Sequence, residues 1–505
     1  MDSLASLASF LVETGYMISV VFFILGMKWM SHPASARKGN FTAAAGMLLA
    51  VLATLLLVVM NQEGNGNGFN FKGNFIWIGT GLLLGSVVGL RLSARVKMTD
   101  MPQMVSLLNG FGGAAAMLVV VAEVLGRAFN EVHGGAIFNS DSFIALPGVS
   151  NTVALEYLSA VFYNVLLMVN LIAGAISFSG SIMAMGKLQG FVPGGSVRWP
   201  FQRLTNNGLL VLMLAGILLF FQAGDAQLAV ILGLCAAALL FGVLFVLPIG
   251  GADMPVVISL LNSITGLTSA LTGFMYDNQA MVMGGVLVGA SGLLLTILMC
   301  RAMNRSLGAV LLGAFQSGRT AASDRTIDTT IRETSMHDAA VLMAYARRVA
   351  IIPGYGLAVA QAQHAVHELE LQLEARGVEV TYGIHPVAGR MPGHMNVLLA
   401  ESDVSYDKLL EMERINPEFP RVDVVLVIGA NDVVNPAAER DPASPIYGMP
   451  ILQVDRAATV LVVKRSMNAG YAGIENELFY DPKTRMLFGD AKSVLQKLNS
   501  AIKEV

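Results

Sequence analysis

The chain has 505 residues, of which 54% are hydrophobic and only 13% are charged. That composition is typical of a membrane protein and excludes a purely water-soluble one. The formal net charge of −3 gives no reason to expect a nucleic-acid partner.

The charged residues are unevenly distributed along the chain. Residues 1–305 contain 24 of them and residues 306–505 contain 43. We therefore predict a transmembrane domain at 1–305 and a soluble domain of ordinary size at 346–505. The segment between them, 306–345, mixes Gly, Ser and Thr with charge and is interpreted as a linker.

The two cysteines, Cys235 and Cys300, both fall in apolar stretches. We expect them to be packing residues and predict neither a disulfide nor a metal site. No basic segment precedes the first apolar stretch, whose early charges are Asp2 and Glu13. We therefore expect no cleavable signal peptide.

Nine apolar stretches carry few or no charges, and most are near the roughly 20 residues that a helix needs to cross a bilayer. They cover residues 4–27, 39–62, 73–90, 101–126, 157–186, 204–224, 226–247, 254–276 and 278–300. The fifth is long enough to be one tilted helix or two short ones. No histidine lies inside any of them, so a titrating group there is either a carboxylate or is supplied by something else.

The basic residues of the connecting loops predict the orientation. With nine helices, the loops on the side of the C-terminal domain carry eleven Lys and Arg residues, and the opposite loops carry two. Because basic residues concentrate on the cytoplasmic side, we expect the soluble domain to face the cytoplasm and the N-terminus to face outward.

A short motif occurs twice in the membrane half. Residues 100–113 and 253–266 share Asp-Met-Pro at the start and an Asn seven positions after the Pro. At 1.5 Å per residue, Asn109 and Asn262 are each expected about 10 Å into the membrane. These amides either join helices or line a polar path for an ion, and the sequence leaves both readings open.

The soluble half alternates short apolar stretches with helical ones. We predict strands at 349–352, 378–384, 422–428, 450–454, 460–463 and 487–488, and helices at 357–376, 395–401, 406–415 and 490–502. Alternating strands and helices predict a Rossmann-like, doubly wound α/β sheet. The predicted fold class is thus a polytopic helical membrane domain followed by a cytoplasmic α/β domain.

The stretch 347–361 reads RRVAIIPGYGLAVAQ and combines a strand, a glycine turn and a helix. Gly354, Tyr355 and Gly356 would form a phosphate cradle, because glycines admit a pyrophosphate and a helix N-terminus offers free N–H groups. The bare pattern also fits an ordinary strand–helix turn. Its context favours a nucleotide, since ligands bind at the carboxyl ends of parallel strands. Four candidate segments follow predicted strands: 354–356, 385–393, 429–435 and 464–473.

The cations favour NADP over NAD. An NAD site usually carries a carboxylate at the end of its second strand, and none occurs at 382–385. Lys464, Arg465 and Ser466 offer two cations and a hydroxyl for a 2′-phosphate, although a Lys-Arg pair is also common at a solvated strand end. Arg390 is either a second phosphate ligand or a surface arginine. Asp432 either caps a helix or lies near the nicotinamide, and Tyr471 is a lid residue or an ordinary turn aromatic.

Several longer motifs carry a resemblance to a known family. They read PGYGLAVAQAQ, GIHPVAGRMPGHMNVLLAE, VLVIGANDVVNPAA, VKRSMNAGYAGIENELF and MLFGDAK in the soluble half, and GADMPVVISLLNSITG and MCRAMNRS in the membrane half. Together they resemble the beta subunit of the proton-translocating NAD(P) transhydrogenase family. The resemblance in effect covers the whole chain.

This resemblance implies both activity and partners. The soluble domain would bind NADP(H), and an alpha subunit with a few membrane helices would carry NAD(H). Hydride would pass between the two nicotinamides, coupled to inward proton movement. The implied assembly is α2β2, in a bacterial inner membrane with the soluble domain in the cytoplasm.

The resemblance also implies site residues. Asp432 would act in catalysis by coupling the nucleotide to the membrane, and residues 467–473 would form a lid. The nucleotide contacts would be Gly354, Tyr355, Gly356, Val387, Ala388, Gly389, Arg390, Gly429, Ala430, Asn431, Asp432, Lys464, Arg465, Ser466, Tyr471, Gly489, Asp490 and Ala491. The proton path would use Asn109, Asp253, Asn262 and Arg305. Some family members have His where this chain has Asn109, so the alpha subunit is a possible source of the protonatable group.

Two other classes of function are alternatives to this one. A channel or transporter with a nucleotide-sensing domain would need a selectivity filter, and no TVGYG-type motif occurs. A membrane dehydrogenase that reduces quinone would need an electron relay, and two cysteines are too few to hold an iron–sulfur cluster.

Overall fold

The computed structural model describes most of the chain. The described residues are 2–31, 33–64, 71–132, 153–193, 197, 199–223, 226–250, 253–303, 306–308, 330–389, 393–442, 444, 446–470 and 472–505. Of the predicted site residues, Arg305, Arg390 and Tyr471 lie outside them.

The described part of the membrane half contains nine long apolar helices, which confirms the predicted number. They are α1 (Asp2–Met30), α2 (Pro33–Gly64), α3 (Phe71–Arg95), α4 (Met101–Val132), α5 (Val153–Gln189), α6 (Gln202–Phe220), α7 (Gln227–Val246), α8 (Met254–Met275) and α9 (Gln279–Ala302). Each contains a segment long and apolar enough to cross a membrane. The fifth is a single continuous helix of 37 residues.

Helices α5 and α8 are the most buried of the nine, and they pack with α4 and α7 around one apolar core. Glycines permit the closest contacts. A Cβ on Gly266 of α8 would lie 2.3 Å from the backbone of Gly289 on α9, so the two helices meet backbone to backbone. Both cysteines belong to this packing, Cys300 in the core and Cys235 against it, as predicted.

The soluble half is built on one sheet of six parallel strands in the order β3-β2-β1-β4-β5-β6. The strands are β1 (Arg348–Pro353), β2 (Glu379–Ile384), β3 (Leu409–Glu411), β4 (Val424–Ile428), β5 (Thr459–Lys464) and β6 (Thr484–Phe488). The helices are α10 (Met336–Ala344), α11 (Tyr355–Val359), α12 (Gln363–Glu374), α13 (His394–Glu401), α14 (Met412–Ile415), α15 (Ala437–Arg440) and α16 (Ala491–Glu504). Separate apolar clusters cover the two faces of the sheet, so the doubly wound Rossmann-like prediction is confirmed.

The end of the predicted linker packs on this domain. The amide of Thr334 donates to the Met486 carbonyl of β6 at 3.1 Å. Helix α10 follows and packs against α16. Residues 309–329 lie outside the described part of the chain.

Three predicted elements were wrong. The predicted helix 406–415 contains edge strand β3, because Leu409–Glu411 pairs with β2 instead of continuing a helix. The predicted strand 450–454 is not one: the Leu452 amide bonds to the Val433 carbonyl in a loop, and Val454–Arg456 forms a 3₁₀ turn. The predicted helix 357–376 is interrupted at Gln361, whose φ of 49° ends α11 before α12 begins.

Candidate functional site

The glycine turn after β1 packs against the loop after β4. The Gly354 amide donates to the Ile428 carbonyl and the Gly356 amide to the Gly429 carbonyl, both at 2.9 Å. A Cβ on Gly354 would lie 2.5 Å from the Ala430 amide nitrogen, and one on Gly356 would lie 2.6 Å from the Gly429 Cα. These glycines therefore allow the two loops to pack closely. Their contact with a pyrophosphate stays a prediction.

Helix α11, which follows the turn, has only five residues. The expected long helix with a strong dipole behind the phosphate cradle is therefore absent from this position. Tyr355 opens α11, and its ring centroid lies 6.5 Å from that of His394. The turn and this aromatic pair are the features that β1 places at the carboxyl edge of the sheet.

The loop after β2 is held by a buried histidine that sequence reasoning missed. His385 is 2% exposed; its Nε2 donates to the Pro450 carbonyl at 2.8 Å, and its Nδ1 accepts from the Val387 amide at 3.2 Å. Burial lowers the pKa of His385 to about 4, against the opposing effect of the Pro450 carbonyl. The imidazole is therefore neutral at neutral pH, as one donating and one accepting nitrogen require.

The other predicted residues of this loop have different surroundings. Ala388 is buried, and Val387 is partly exposed. Gly389 has a φ of 99°, and a Cβ there would lie 2.5 Å from His394 Nδ1. A side chain at this position is thus excluded both by the backbone conformation and by His394.

Asp432 lies in the loop after β4 and contacts the predicted lid. The Ala472 amide donates to Asp432 Oδ2 at 3.0 Å. Gly470 fits against the same loop, because a Cβ there would lie 2.5 Å from Asp432 Oδ1 and 2.9 Å from Asn431 Nδ2. The structure therefore brings the predicted coupling residue and the predicted lid together.

Two asparagines that sequence reasoning missed hold the segment that follows the predicted lid. Asn476 is 2% exposed and donates to the backbone carbonyl and side-chain oxygen of Asn431, at 3.0 and 3.1 Å. Asn435 is fully buried and donates to the Glu475 carbonyl at 3.0 Å. The sequence signal that could have identified them is an asparagine in a turn-rich segment, because buried amide side chains in such segments bond to backbone groups.

The two predicted phosphate cations differ in their surroundings. Lys464, the last residue of β5, donates to the Asn468 carbonyl at 2.6 Å, and its Nζ lies 4.6 Å from the centroid of the Phe479 ring. Burial lowers the pKa of Lys464, while Asp432 acts in the opposite direction. Arg465 and Ser466 are exposed. Lys464 thus shapes the start of the lid, and Arg465 is open to a ligand.

The remaining predicted nucleotide residues follow β6. The Gly489 amide donates to the Lys464 carbonyl at 3.0 Å, which places 489–491 beside the two cations. Asp490 caps α16 by accepting from the amides of Lys492 and Ser493 at 3.1 and 3.4 Å. Ala491 is buried.

In the membrane half the two predicted asparagines differ. Asn109 on α4 is 6% exposed and donates to the Ile258 carbonyl on α8 at 3.3 Å. Its own carbonyl accepts from Thr265 at 3.2 Å. Asn262, on α8, is only partly buried, and its side chain makes no hydrogen bond to the described residues. Asp253 lies immediately before α8, partly buried.

Asn109 belongs to a seam of polar groups where α4, α5 and α8 meet, which we call the polar seam. Ser106 donates to the Ser181 carbonyl at 2.8 Å, and the Ser177 and Thr265 hydroxyls are 2.6 Å apart. Farther along α8, Asn170 donates to Thr272 at 2.9 Å. The small residues beside the seam allow close helix packing: a Cβ on Gly112 would lie 2.6 Å from Thr265 Cγ2.

The segments that follow β1 and β2 contact the membrane half directly. The 3₁₀ turn Met98–Asp100, just before α4, contacts α11. Val387 packs against the membrane core cluster to which Ile249 and Met254 belong. The first copy of the Asp-Met-Pro motif therefore lies beside the soluble domain, and Met254 of the second copy belongs to the cluster that Val387 contacts.

Comparison with known proteins agrees with this architecture. A family model described as "NAD(P) transhydrogenase beta subunit" matches residues 12–501. Two relatives named NAD(P) transhydrogenase subunit beta, one from Rhodospirillum rubrum and one from a designated strain of that species, are each 44% identical to this chain over 494 residues. The matches cover 97% of this chain and 99% of each relative. The chain therefore belongs to the NAD(P) transhydrogenase beta subunit family.

Proposed function

We propose that this chain binds NADP(H) at the carboxyl edge of its sheet and exchanges hydride with NAD(H) on an alpha subunit, coupled to proton movement across the membrane. The reaction is NADH + NADP⁺ + H⁺(out) ⇌ NAD⁺ + NADPH + H⁺(in). One observation carries the coupling: the loops at the strand ends touch the membrane half. Helix α11 contacts the turn from which α4 starts, and Val387 packs against the core cluster that includes the start of α8. A nucleotide bound there would adjoin the membrane helices.

The choice of NADP rests on the ends of β2 and β5. Strand β2 ends at Ile384, and the next residue, His385, is engaged with Pro450. This strand end thus supplies no carboxylate for a ribose 2′-OH. Arg465 is exposed beside Lys464 and Ser466, and a guanidinium suits a 2′-phosphate. The lid, 467–473, would close over the bound nucleotide.

Hydride exchange needs two nucleotides, and the described residues provide one set of strand-end loops. We therefore assign NAD(H) to the alpha subunit; the α2β2 assembly is what the family resemblance implies. The eleven-to-two bias of basic loop residues supports a cytoplasmic soluble domain on a bacterial inner membrane.

The polar seam is the proposed proton route through this chain. Oδ1 of Asn170 and Oε1 of Gln103 are buried acceptors without a partner among the described residues, so each suits an ordered water. Asn109 lies between them on α4. The named seam side chains are hydroxyls and amides, so they would order water and another group would hold the proton. Asp253, Asn262 and Arg305 are proposed to act at the path and its inner end.

The energetics of this coupling are reasonable. One proton that crosses the membrane potential releases about 2.3 kcal/mol per 100 mV. Hydride exchange between two similar nicotinamides is close to balanced without it. One proton per hydride is therefore enough to bias the exchange toward NADPH.

The test uses purified alpha and beta subunits in sealed vesicles. NADPH should reduce an NAD analogue, proton movement should follow with a pH-sensitive dye, and an uncoupler should change the hydride transfer rate. Absence of hydride transfer, or a rate indifferent to the uncoupler, contradicts the proposal. Ion flux that responds to NADPH without hydride transfer would instead indicate a nucleotide-sensing channel.

A further inference from the structure

A buried cation lies at the inner end of α5, apart from the residues assigned to the proton route. Lys187 is 4% exposed, and its Nζ donates to two backbone carbonyls, Leu247 and Ile249, the second at 2.8 Å. Both carbonyls belong to the segment that joins α7 to α8, whose described residues are 247–250 and 253; we call it the α7–α8 connector.

The last carbonyls of a helix lack intrahelical partners and carry the negative end of the helix dipole. Helix α7 ends at Val246. Lys187 therefore supplies a positive charge and hydrogen-bond donors to the carbonyls just after the C-terminus of this helix. Burying an ammonium is costly unless it is hydrogen-bonded. The ammonium and the shape of the connector are therefore mutually dependent, and a change in one disturbs the other.

The connector held by Lys187 belongs to the same core cluster that the nucleotide domain contacts. Ile249 and Met254 are fully buried members of the membrane core cluster, and Val387 packs against that cluster. Val387 is in turn tied to His385 through its amide. The connector continues through Asp253 into α8, which carries Thr265 and Thr272 of the polar seam.

We propose that Lys187 is a positioning residue, which fixes the α7–α8 connector so that movement of the 385–389 loop is transmitted to α8 and the proton route. This inference rests on the proposed function. Without the ammonium, the connector would adjust locally when the loop moves, and α8 would be uncoupled from the nucleotide. Hydride transfer would then proceed with fewer protons moved per hydride.

The experiment compares Lys187→Met and Lys187→Arg in purified alpha–beta complexes in sealed vesicles. We expect Lys187→Met to lower the number of protons moved per hydride about three- to tenfold, which lies within the range of coupling changes seen in such networks. NADPH affinity should change by less than about twofold, since Lys187 is outside the proposed nucleotide contacts. Lys187→Arg, which keeps charge and donors, should recover most of the ratio. Lys28→Met, an exposed lysine at the end of α1, is the matched control.

A lower Tm with an unchanged proton-to-hydride ratio in Lys187→Met would overturn the inference, because it would leave Lys187 a purely stabilising role. If Lys187→Met does not assemble, Lys187→Gln is measured by the same criteria. Hydrogen exchange of peptides from 240–256 in the unaltered complex provides an independent test: NADPH should change their protection, and unchanged protection also overturns the inference. If the unaltered complex transfers no hydride, that result contradicts the proposed function and not this inference.

Discussion

The Ala472 amide donates a 3.0 Å hydrogen bond to the Asp432 carboxylate, which joins the lid to the loop after β4. Gly470 lies under the same contact, and a Cβ there would displace the side chain of Asp432 or Asn431. The position of the predicted lid, 467–473, and the environment of Asp432 are therefore linked, because moving Ala472 away from this loop removes a donor from the carboxylate.

Gly470→Ala should keep the lid from closing. Its Cβ would meet Asp432 Oδ1 at 2.5 Å, and relief of such overlaps commonly costs about 1–3 kcal/mol. We expect NADPH to dissociate about tenfold faster, which stopped-flow fluorescence of the bound nucleotide measures. Ala469→Val, at the exposed neighbouring lid position, should leave the rate near that of the unaltered protein. Equal rates in Gly470→Ala and the unaltered protein would contradict a lid role for this segment.

Arg465→Ala should weaken NADPH binding without affecting NADH binding. A charge-assisted hydrogen bond to a phosphate contributes about 1.5–3 kcal/mol, so affinity for NADPH should fall roughly ten- to a hundredfold. Titration of each nucleotide against the purified complex gives the comparison. Arg485→Ala, an exposed arginine on β6, serves as the control. An equal loss of affinity for NADPH and for NADH would mean that Arg465 does not bind the 2′-phosphate.

Acid should loosen the soluble domain through His385. Its pKa is about 4 in the folded protein and 6.5 for an ordinary histidine, so between these values the unfolded chain binds more protons. Stability is therefore complete above about pH 6.5 and should decrease by about 3 kcal/mol as the pH falls to about 4.

Hydrogen exchange of peptides from β2 and β4, corrected for the intrinsic pH dependence of exchange, measures this loss. His385→Gln should flatten the dependence over this pH range, whereas exposed His337→Gln should retain it. A pH dependence that survives in His385→Gln would assign the effect to another group.

Asn170→Leu should interrupt the polar seam. The change keeps the branching of the side chain at Cγ but removes the donor to Thr272 and the buried oxygen suited to water. We expect coupled hydride transfer and proton movement to decrease together, by about tenfold or more, while NADPH binding stays unchanged. Ser19→Ala removes a buried hydroxyl that bonds only within α1, to the Gly15 carbonyl, and should have little effect. Full proton movement in Asn170→Leu would exclude the seam as the route.

The sequence predicted the elements whose signals are local and strong. Nine apolar stretches predicted nine helices, because a membrane demands length and hydrophobicity from each helix by itself. The continuous apolar strands β1, β4 and β5 were equally clear, since buried parallel strands are apolar on both faces. Strand β3 was missed because a three-residue edge strand is defined by its partner β2, which lies 25 residues earlier in the chain.

The candidate site was only partly accessible from sequence for a similar reason. Lys464 and Arg465 lie at the end of a strand, and ligands bind at the carboxyl ends of the strands in parallel sheets. His385, Asn476 and Lys187 act through backbone carbonyls of distant segments, and a carbonyl has no sequence signature. The break at Gln361 was likewise hidden in an Ala-rich stretch that favours an uninterrupted helix.

Helix α8 extends far from the core cluster that Val387 contacts. It starts at Met254, in the cluster beneath the nucleotide loop, and Thr272 lies about 27 Å farther along the same helix. An unbroken α-helix behaves as a stiff rod, so a small tilt imposed at one end displaces its whole length. If the proposed coupling holds, a shift at the start of α8 would therefore change the spacing between Thr272 and Asn170 at the far end of the helix.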